Sequence, residues 1–179
     1  MRTPEILAPA GSEDALLAAL RCGANAVYVG GKQFSARQNA ANFDLPQLQR
    51  AAKLCHLYGA KLYLTVNTLV FAPEFPALVQ FLEAAIRLGV DAFLVQDFGL
   101  LELIRQISPD VPIHASTQMT IHTPEGALWA KEHGISRVVV SRELSRKEIA
   151  AICKTGIEVE TFVHGALCMS VSGQCGLSA

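Results

Sequence analysis

Leu88-Gly89-Val90-Asp91-Ala92-Phe93-Leu94-Val95-Gln96-Asp97 decides the fold. A helical pattern ends at Leu88 and a glycine follows. Four apolar residues suited to a buried strand come next, and two polar residues lead into another helical pattern. The same helix-to-strand turn stands at Cys22-Gly23-Ala24, Tyr58-Gly59-Ala60 and His133-Gly134-Ile135, and Gly156 holds the equivalent place after a further helix. Glycine suits these positions because the residue past a helix end takes positive φ. Working outward from these turns, strands are predicted over 5–8, 26–29, 61–67, 92–95, 113–115, 137–140 and 158–163. Helices are predicted over 12–21, 45–57, 74–88, 98–107, 124–133 and 146–154, with apolar residues at helical spacing such as Leu48, Ala51, Ala52 and Cys55. Ser12 and Ser145 read as N-caps.

Strand–helix alternation predicts an α/β fold with a parallel sheet. A doubly wound sheet and a (β/α) TIM-like barrel both fit the alternation. The barrel is favoured because seven strands and six helices exceed a simple doubly wound domain. In addition, Pro9-Ala10-Gly11-Ser12 after the first strand is a helix cap and not a dinucleotide fingerprint. A complete barrel takes about 250 residues. The 179 residues here therefore predict an incomplete barrel whose open edge needs a cover, such as a second copy in a homodimer.

Composition narrows the function classes. At 51% hydrophobic and 17% charged, the chain is too apolar for intrinsic disorder. Five cysteines are too sparse and odd in number for a disulfide-stapled miniprotein. No apolar run approaches the roughly 20 residues of a membrane span, and no signal peptide is visible, so a cytoplasmic protein without membrane contact is expected. A formal charge of −1 gives no general electrostatic affinity for nucleic acid.

In a barrel, chemistry sits on the loops after the C-terminal strand ends. Here those loops hold Arg37, Asn67, Gln96, Asp97, His114, Thr117, Gln118, Arg142, His164 and Cys168, whereas the opposite loops read as glycine, alanine and apolar residues. Arg37, Asn67, Gln96, His114, Gln118 and Arg142 are expected to converge on one cavity, with Arg37 and Arg142 suited to a carboxylate-bearing ligand. Plainer readings stand beside these. Asp97 also suits a helix cap, His114 a core histidine, and Glu143 a neutralising partner for Arg142. Cys22, Cys55 and Cys153 fall on apolar helical faces and read as core. Cys168 and Cys175 share a small-residue loop, where two thiols suit zinc or an iron–sulfur cluster and require further ligands. A catalytic Cys168 with His164 as its base is the rival reading.

The stretch Glu160-Thr161-Phe162-Val163-His164-Gly165-Ala166-Leu167-Cys168-Met169-Ser170-Val171-Ser172-Gly173-Gln174-Cys175-Gly176-Leu177-Ser178 resembles the signature of the collagenase-like peptidases of unassigned mechanism, family thirty-two of the U peptidases. Leu7-Ala8-Pro9-Ala10-Gly11, Ala26-Val27-Tyr28-Val29-Gly30-Gly31, Val95-Gln96-Asp97 and His114-Ala115-Ser116-Thr117-Gln118 extend the resemblance over the whole chain. Phe34-Ser35-Ala36-Arg37-Gln38-Asn39-Ala40 is most similar to the branch that hydroxylates a cytidine of large-subunit ribosomal RNA. Sister branches hydroxylate a tRNA wobble uridine or a ubiquinone precursor.

The resemblance implies that residues 1–179 are the N-terminal barrel domain of a longer protein that acts on RNA. It implies a [4Fe–4S] cluster on four cysteines, with Cys168 and Cys175 matching the first two ligands. It also implies prephenate as a small anionic co-substrate, which the Arg37 and Arg142 rim would suit. In this reading Arg37, His114, Arg142 and His164 are the catalytic candidates, and Asn67, Gln96, Asp97, Thr117 and Gln118 contact substrate. The loop of Cys168 and Cys175 is expected to be poorly ordered or strained, since half of the ligand set lies elsewhere. The collagenase name has little support in the residues, which contain neither an HExxH motif nor a serine nucleophile elbow.

Overall fold

All seven predicted strands form, and each pairs in parallel with the next. The computed structural model describes residues 3–36, 41–165 and 168–174. Its strands are β1 (Leu7–Pro9), β2 (Ala26–Gly30), β3 (Lys61–Val66), β4 (Ala92–Val95), β5 (Ile113–Ala115), β6 (Arg137–Val139) and β7 (Glu158–Glu160), in one sheet ordered β1 to β7. The helices are α1 (Glu13–Arg21), α2 (Leu45–Leu57), α3 (Phe75–Arg87), α4 (Phe98–Ile107), α5 (Pro124–Glu132) and α6 (Arg146–Cys153). Ser12 and Ser145 cap α1 and α6 as expected, Ser145 within a capping box closed by Glu148. The five turn glycines Gly23, Gly59, Gly89, Gly134 and Gly156 take φ between +69° and +88°. β7 is shorter than predicted. Its neighbour β6 stops at Val139, and the last bond of their ladder runs from Val140 N to Glu160 O, so residues 161–163 have no strand to pair with.

Strand residues alternate between two cores. Val27, Val29, Leu62, Leu64, Phe93, Val95, Ile113, Ala115 and Val138 face outward and pack with Leu16, Leu48, Leu78, Leu100 and other helix residues. Ala26, Tyr63, Ala92, Leu94 and Val139 form a second, inner cluster with Leu7 and Tyr28. An inner cluster needs a curled sheet, and an ion pair demonstrates the curl. Arg137 on β6 meets Glu5, just before β1, at 2.7 Å. In a flat sheet, five strand spacings would hold them roughly 24 Å apart. The architecture is an incomplete (β/α) barrel, open between β7 and β1.

Two expectations are corrected. Cys55 is fully buried, but Cys22 and Cys153 are exposed, because both stand at the C-terminal ends of their helices, beyond the face packed on the sheet. The N-terminal end of the barrel is also not apolar. Arg137, whose side chain is 11% exposed, pairs there with Glu5, Glu158 and Glu160, while Lys61 approaches Glu5 at 3.7 Å.

Candidate functional site

At the C-terminal strand ends a hydrogen-bond network joins three loops through Asn67. Its Oδ1 accepts from the Ala36 amide at 3.1 Å, and its Nδ2 donates to Ser116 Oγ and Gln118 Oε1, both at 3.2 Å. Ser116 Oγ also donates to Gln118 Oε1. Beside it, Ser35 and Thr65 share a buried hydroxyl contact at 3.1 Å, and Thr65 donates to the Val29 carbonyl. Asn67 is only 9% exposed, so satisfying both ends of its amide fixes the loops after β2, β3 and β5 relative to one another. Gly30 makes room for this layer, since a Cβ there would stand 2.6 Å from both Asn42 Oδ1 and Ser35 Oγ.

A second anchor lies at the loop after β7. Ser172 is buried to 1% although Val171 and Met169 nearby are exposed. Its amide and hydroxyl donate to Glu143 Oε1 at 2.9 and 3.2 Å. The hydroxyl accepts from the Arg142 amide and from Arg142 Nε at 3.1 and 3.2 Å, and Arg142 Nη2 reaches the Ser170 carbonyl at 3.5 Å. Gly173, at φ +84°, lies so close to the turn Thr117–Met119 that a Cβ would meet Thr120 Oγ1 at 2.5 Å and the Thr117 carbonyl at 3.0 Å. The described part of the cysteine loop is therefore anchored at Ser172.

The predicted residues divide between these places. Asn67 and Gln118 meet in the rim network, and Gln96 is half-buried at the end of β4. The Thr117 hydroxyl is buried and has no hydrogen-bond partner among the described residues. Asp97 is a cap and not a free ligand. Its Oδ1 accepts from Leu100 N at the start of α4, and its Oδ2 accepts from Val70 N.

His114 lies within the barrel, in register with Leu94 and Arg137, with its ring edge-on to Tyr63 at 4.8 Å. It is a core histidine and not a rim residue. Burial, with the Arg137 charge adding to it, pushes its pKa down to about 3, so the imidazole is neutral. His164 and the Cys168 thiol are both exposed, and among the described residues no hydrogen bond links them. Arg37 and Cys175 lie outside the described residues, so the pairing of Arg37 with Arg142 and of Cys175 with Cys168 lies outside them too. Two clefts of about 330 and 390 Å³ flank the barrel, and neither is lined by a predicted site residue.

The basal charge layer escaped the sequence reading. Glu5 bonds Arg137 and the Tyr63 hydroxyl at 2.7 and 2.9 Å, and the Arg137 guanidinium stands 5.4 Å over the Tyr63 ring. Burial raises the Glu5 pKa, but hydrogen bonds from Arg137 and Tyr63 outweigh it and hold the carboxyl below its usual range. Burial dominates at Glu160, raising its pKa, although Arg137 stands 3.6 Å from its Oε2. A signal was present: charged residues within short strands, at alternate positions in Glu158-Val159-Glu160 and at the head of Arg137-Val138-Val139, mark an inward polar face.

In a four-thiolate metal site every ligand is a cysteine sulfur. Among the described residues no three His, Cys, Asp or Glu side chains stand close enough to hold a metal ion. The exposed Cys168 thiol, with Cys175 seven positions on in sequence, fits such a site in kind and would supply two of its four ligands.

Comparison with known proteins agrees with this architecture. The tRNA hydroxylation protein P1 of Bacillus subtilis is 37% identical over 178 residues, covering 99% of this chain and 42% of that protein. The 23S rRNA 5-hydroxycytidine synthase of Escherichia coli is 40% identical over 175 residues, 97% of this chain and 26% of that protein. A collagenase of Porphyromonas gingivalis is 34% identical over 187 residues, 97% of this chain and 44% of that protein. The chain thus spans less than half the length of each of these relatives. Among solved structures, a U32 peptidase superposes with a TM-score of 0.75 at 18% identity, over 89% of this chain and 68% of that one, which supports the fold. Residues 11–179 match peptidase family U32, and the chain belongs to that family.

Proposed function

We propose that this chain is the N-terminal barrel domain of a longer RNA hydroxylation enzyme. The relatives named for hydroxylation of tRNA and rRNA support the reaction class. The observation that carries the reading is the joining of the Cys168 loop to the polar rim, through Ser172 on Arg142 and Glu143 and through Gly173 on the turn after β5. A thiol loop docked on a polar, hydrogen-bonding mouth suits a metal centre facing a polar substrate. In this reading Cys168 and Cys175 supply two thiolates of a [4Fe–4S] cluster, whose further ligands lie outside this chain. When bound, the cluster supplies the redox chemistry.

Rim residues bind and orient the substrate. Asn67 holds the backbone that leads into Arg37, Gln118 and Thr117 present polar groups at the mouth, and Arg142 borders the loop. A small dianion such as prephenate, as hydroxyl donor, suits Arg37 with Arg142. A large-subunit rRNA cytidine is the first substrate to test, and a tRNA uridine or a ubiquinone precursor are the alternatives for the same fold. The collagenase-like reading has the names of two relatives in its favour, a protease of Methanocaldococcus jannaschii and the Porphyromonas gingivalis collagenase, while the sequence contains neither an HExxH motif nor a serine nucleophile elbow.

The test is nucleoside mass spectrometry of rRNA and tRNA from cells lacking the full-length protein. Iron and sulfide analysis of that protein, purified without oxygen, accompanies it. Loss of one nucleoside heavier by a single oxygen, together with bound iron and sulfide, is the expected result. Unchanged RNA and an iron-free protein that cleaves peptides through Cys168 would overturn the reading.

A further inference from the structure

Ser172 is the only side chain within 168–174 that is fully buried, and every bond it can make is made. A serine hydroxyl has one proton to give and two lone pairs. Here the proton goes to Glu143 Oε1, and the lone pairs take the Arg142 amide and Arg142 Nε, while the Ser172 amide donates to the same Glu143 oxygen. Two residues of the β6–α6 loop therefore grip one residue of the loop between the two cysteines.

The neighbouring contacts point the same way. Gly173 seats against the turn after β5, and Gln174 Nε2 donates to Thr120 Oγ1 at 3.4 Å. Thr120 takes φ +61°, a left-handed conformation that is strained for a β-branched residue. That strain sits where the β5 turn receives the cysteine loop.

Ordering a free loop costs conformational entropy at every residue fixed, and a metal that had to order this one would bind more weakly by that amount. We propose that Ser172 and Glu143 are positioning residues for metal binding. They hold residues 170–174, which follow Cys168, against the β5 and β6 loops, so that this stretch is ordered before metal arrives. The inference rests on the thiolate-ligand reading above. It adds a device that the ligand set does not contain, a carboxylate acting on the metal only through a serine. Glu143 itself is exposed, so its value to the overall fold is small, and its conspicuous task is this contact.

The experiment uses the full-length protein purified without oxygen, with iron transfer to a colorimetric chelator as the main reading. Ser172→Ala and Glu143→Ala are expected to release iron at least about tenfold faster than the parent, the usual scale for lost outer-shell partners. Glu143→Gln keeps an oxygen acceptor and Ser172→Thr keeps the hydroxyl, so both should release iron near the parent rate. In metal-free protein, hydrogen exchange at the Ser172 amide should lose protection in Glu143→Ala and keep it in Glu143→Gln. If Glu143→Ala does not fold, Ser172→Ala carries the same comparison with the loss of a single hydroxyl. A parent that holds iron, with alanine variants that release it at the parent rate, overturns the positioning role alone. A parent without iron overturns the thiolate-ligand reading and this inference together.

Discussion

His114 titrates in the direction opposite to a catalytic base. Its pKa is about 3 in the folded protein and 6.5 when unperturbed, so below about pH 6.5 the unfolded chain takes up a proton that the folded chain refuses. Stability is therefore full above pH 6.5 and is lost as pH falls toward 3, by roughly 4 kcal/mol across that window. His114→Phe keeps an aromatic ring against Tyr63 and removes both the titration and the unpartnered Nδ1. Urea unfolding at pH 7 and pH 4 should show a smaller acid loss in this variant than in the parent. Gly173→Ala tests the other close approach. Its Cβ would meet a backbone carbonyl at 3.0 Å from a left-handed backbone, so the loop must shift. The expected outcome is loss of hydrogen-exchange protection at Ser172, with a cost of roughly 1–3 kcal/mol confined to that loop.

At the level of strands and helices, Arg137 is the cation that joins all three basal carboxylates, with Lys61 approaching Glu5 alone. Arg137→Ala would leave Glu5, Glu158 and Glu160 facing one another around a half-buried space. A loss of about 3–5 kcal/mol is expected in denaturant unfolding, and Arg137→Lys should recover only part of it, since one ammonium cannot span three carboxylates. The same elements show how far the residues disclose the structure. The strands and helices were legible because the glycine turns and apolar spacing are local signals, and most boundaries agree to within two residues. Ser172 and Glu143 were not legible as a pair, since 29 positions separate them and neither residue type announces the other. Asp97 was ambiguous for a different reason. A helix cap and a ligand both use a carboxylate after a strand end, and only the bonds to Leu100 and Val70 decide between them. His114 was misplaced because a strand end read from apolar runs does not say how deep in the barrel a side chain sits.

For the molecule as a whole, the open seam sets the pattern of local stability. β3 and β4 are bonded on both sides and lie under the helices, whereas β7 pairs, among the described residues, with β6 alone. Amide exchange should be slowest in β3 and β4 and fastest in β7, and a uniform profile would contradict the seam. Phe162, Val163 and Met169 expose apolar surface beside it. A second copy covering that edge is expected, and sedimentation across a range of concentrations checks it. No helix among the described residues is long and apolar enough to cross a membrane.

The Glu5–Arg137 pair also bears on the order in which the chain folds. These residues are 132 positions apart in a chain of 179. Neighbouring strands close short loops and gain their contacts early, whereas this contact pays only after five crossovers are complete. It therefore belongs to the native side of the folding barrier. Weakening it should leave the refolding rate almost unchanged and accelerate unfolding, so that stopped-flow traces of Arg137→Lys differ from the parent in one limb of the chevron alone.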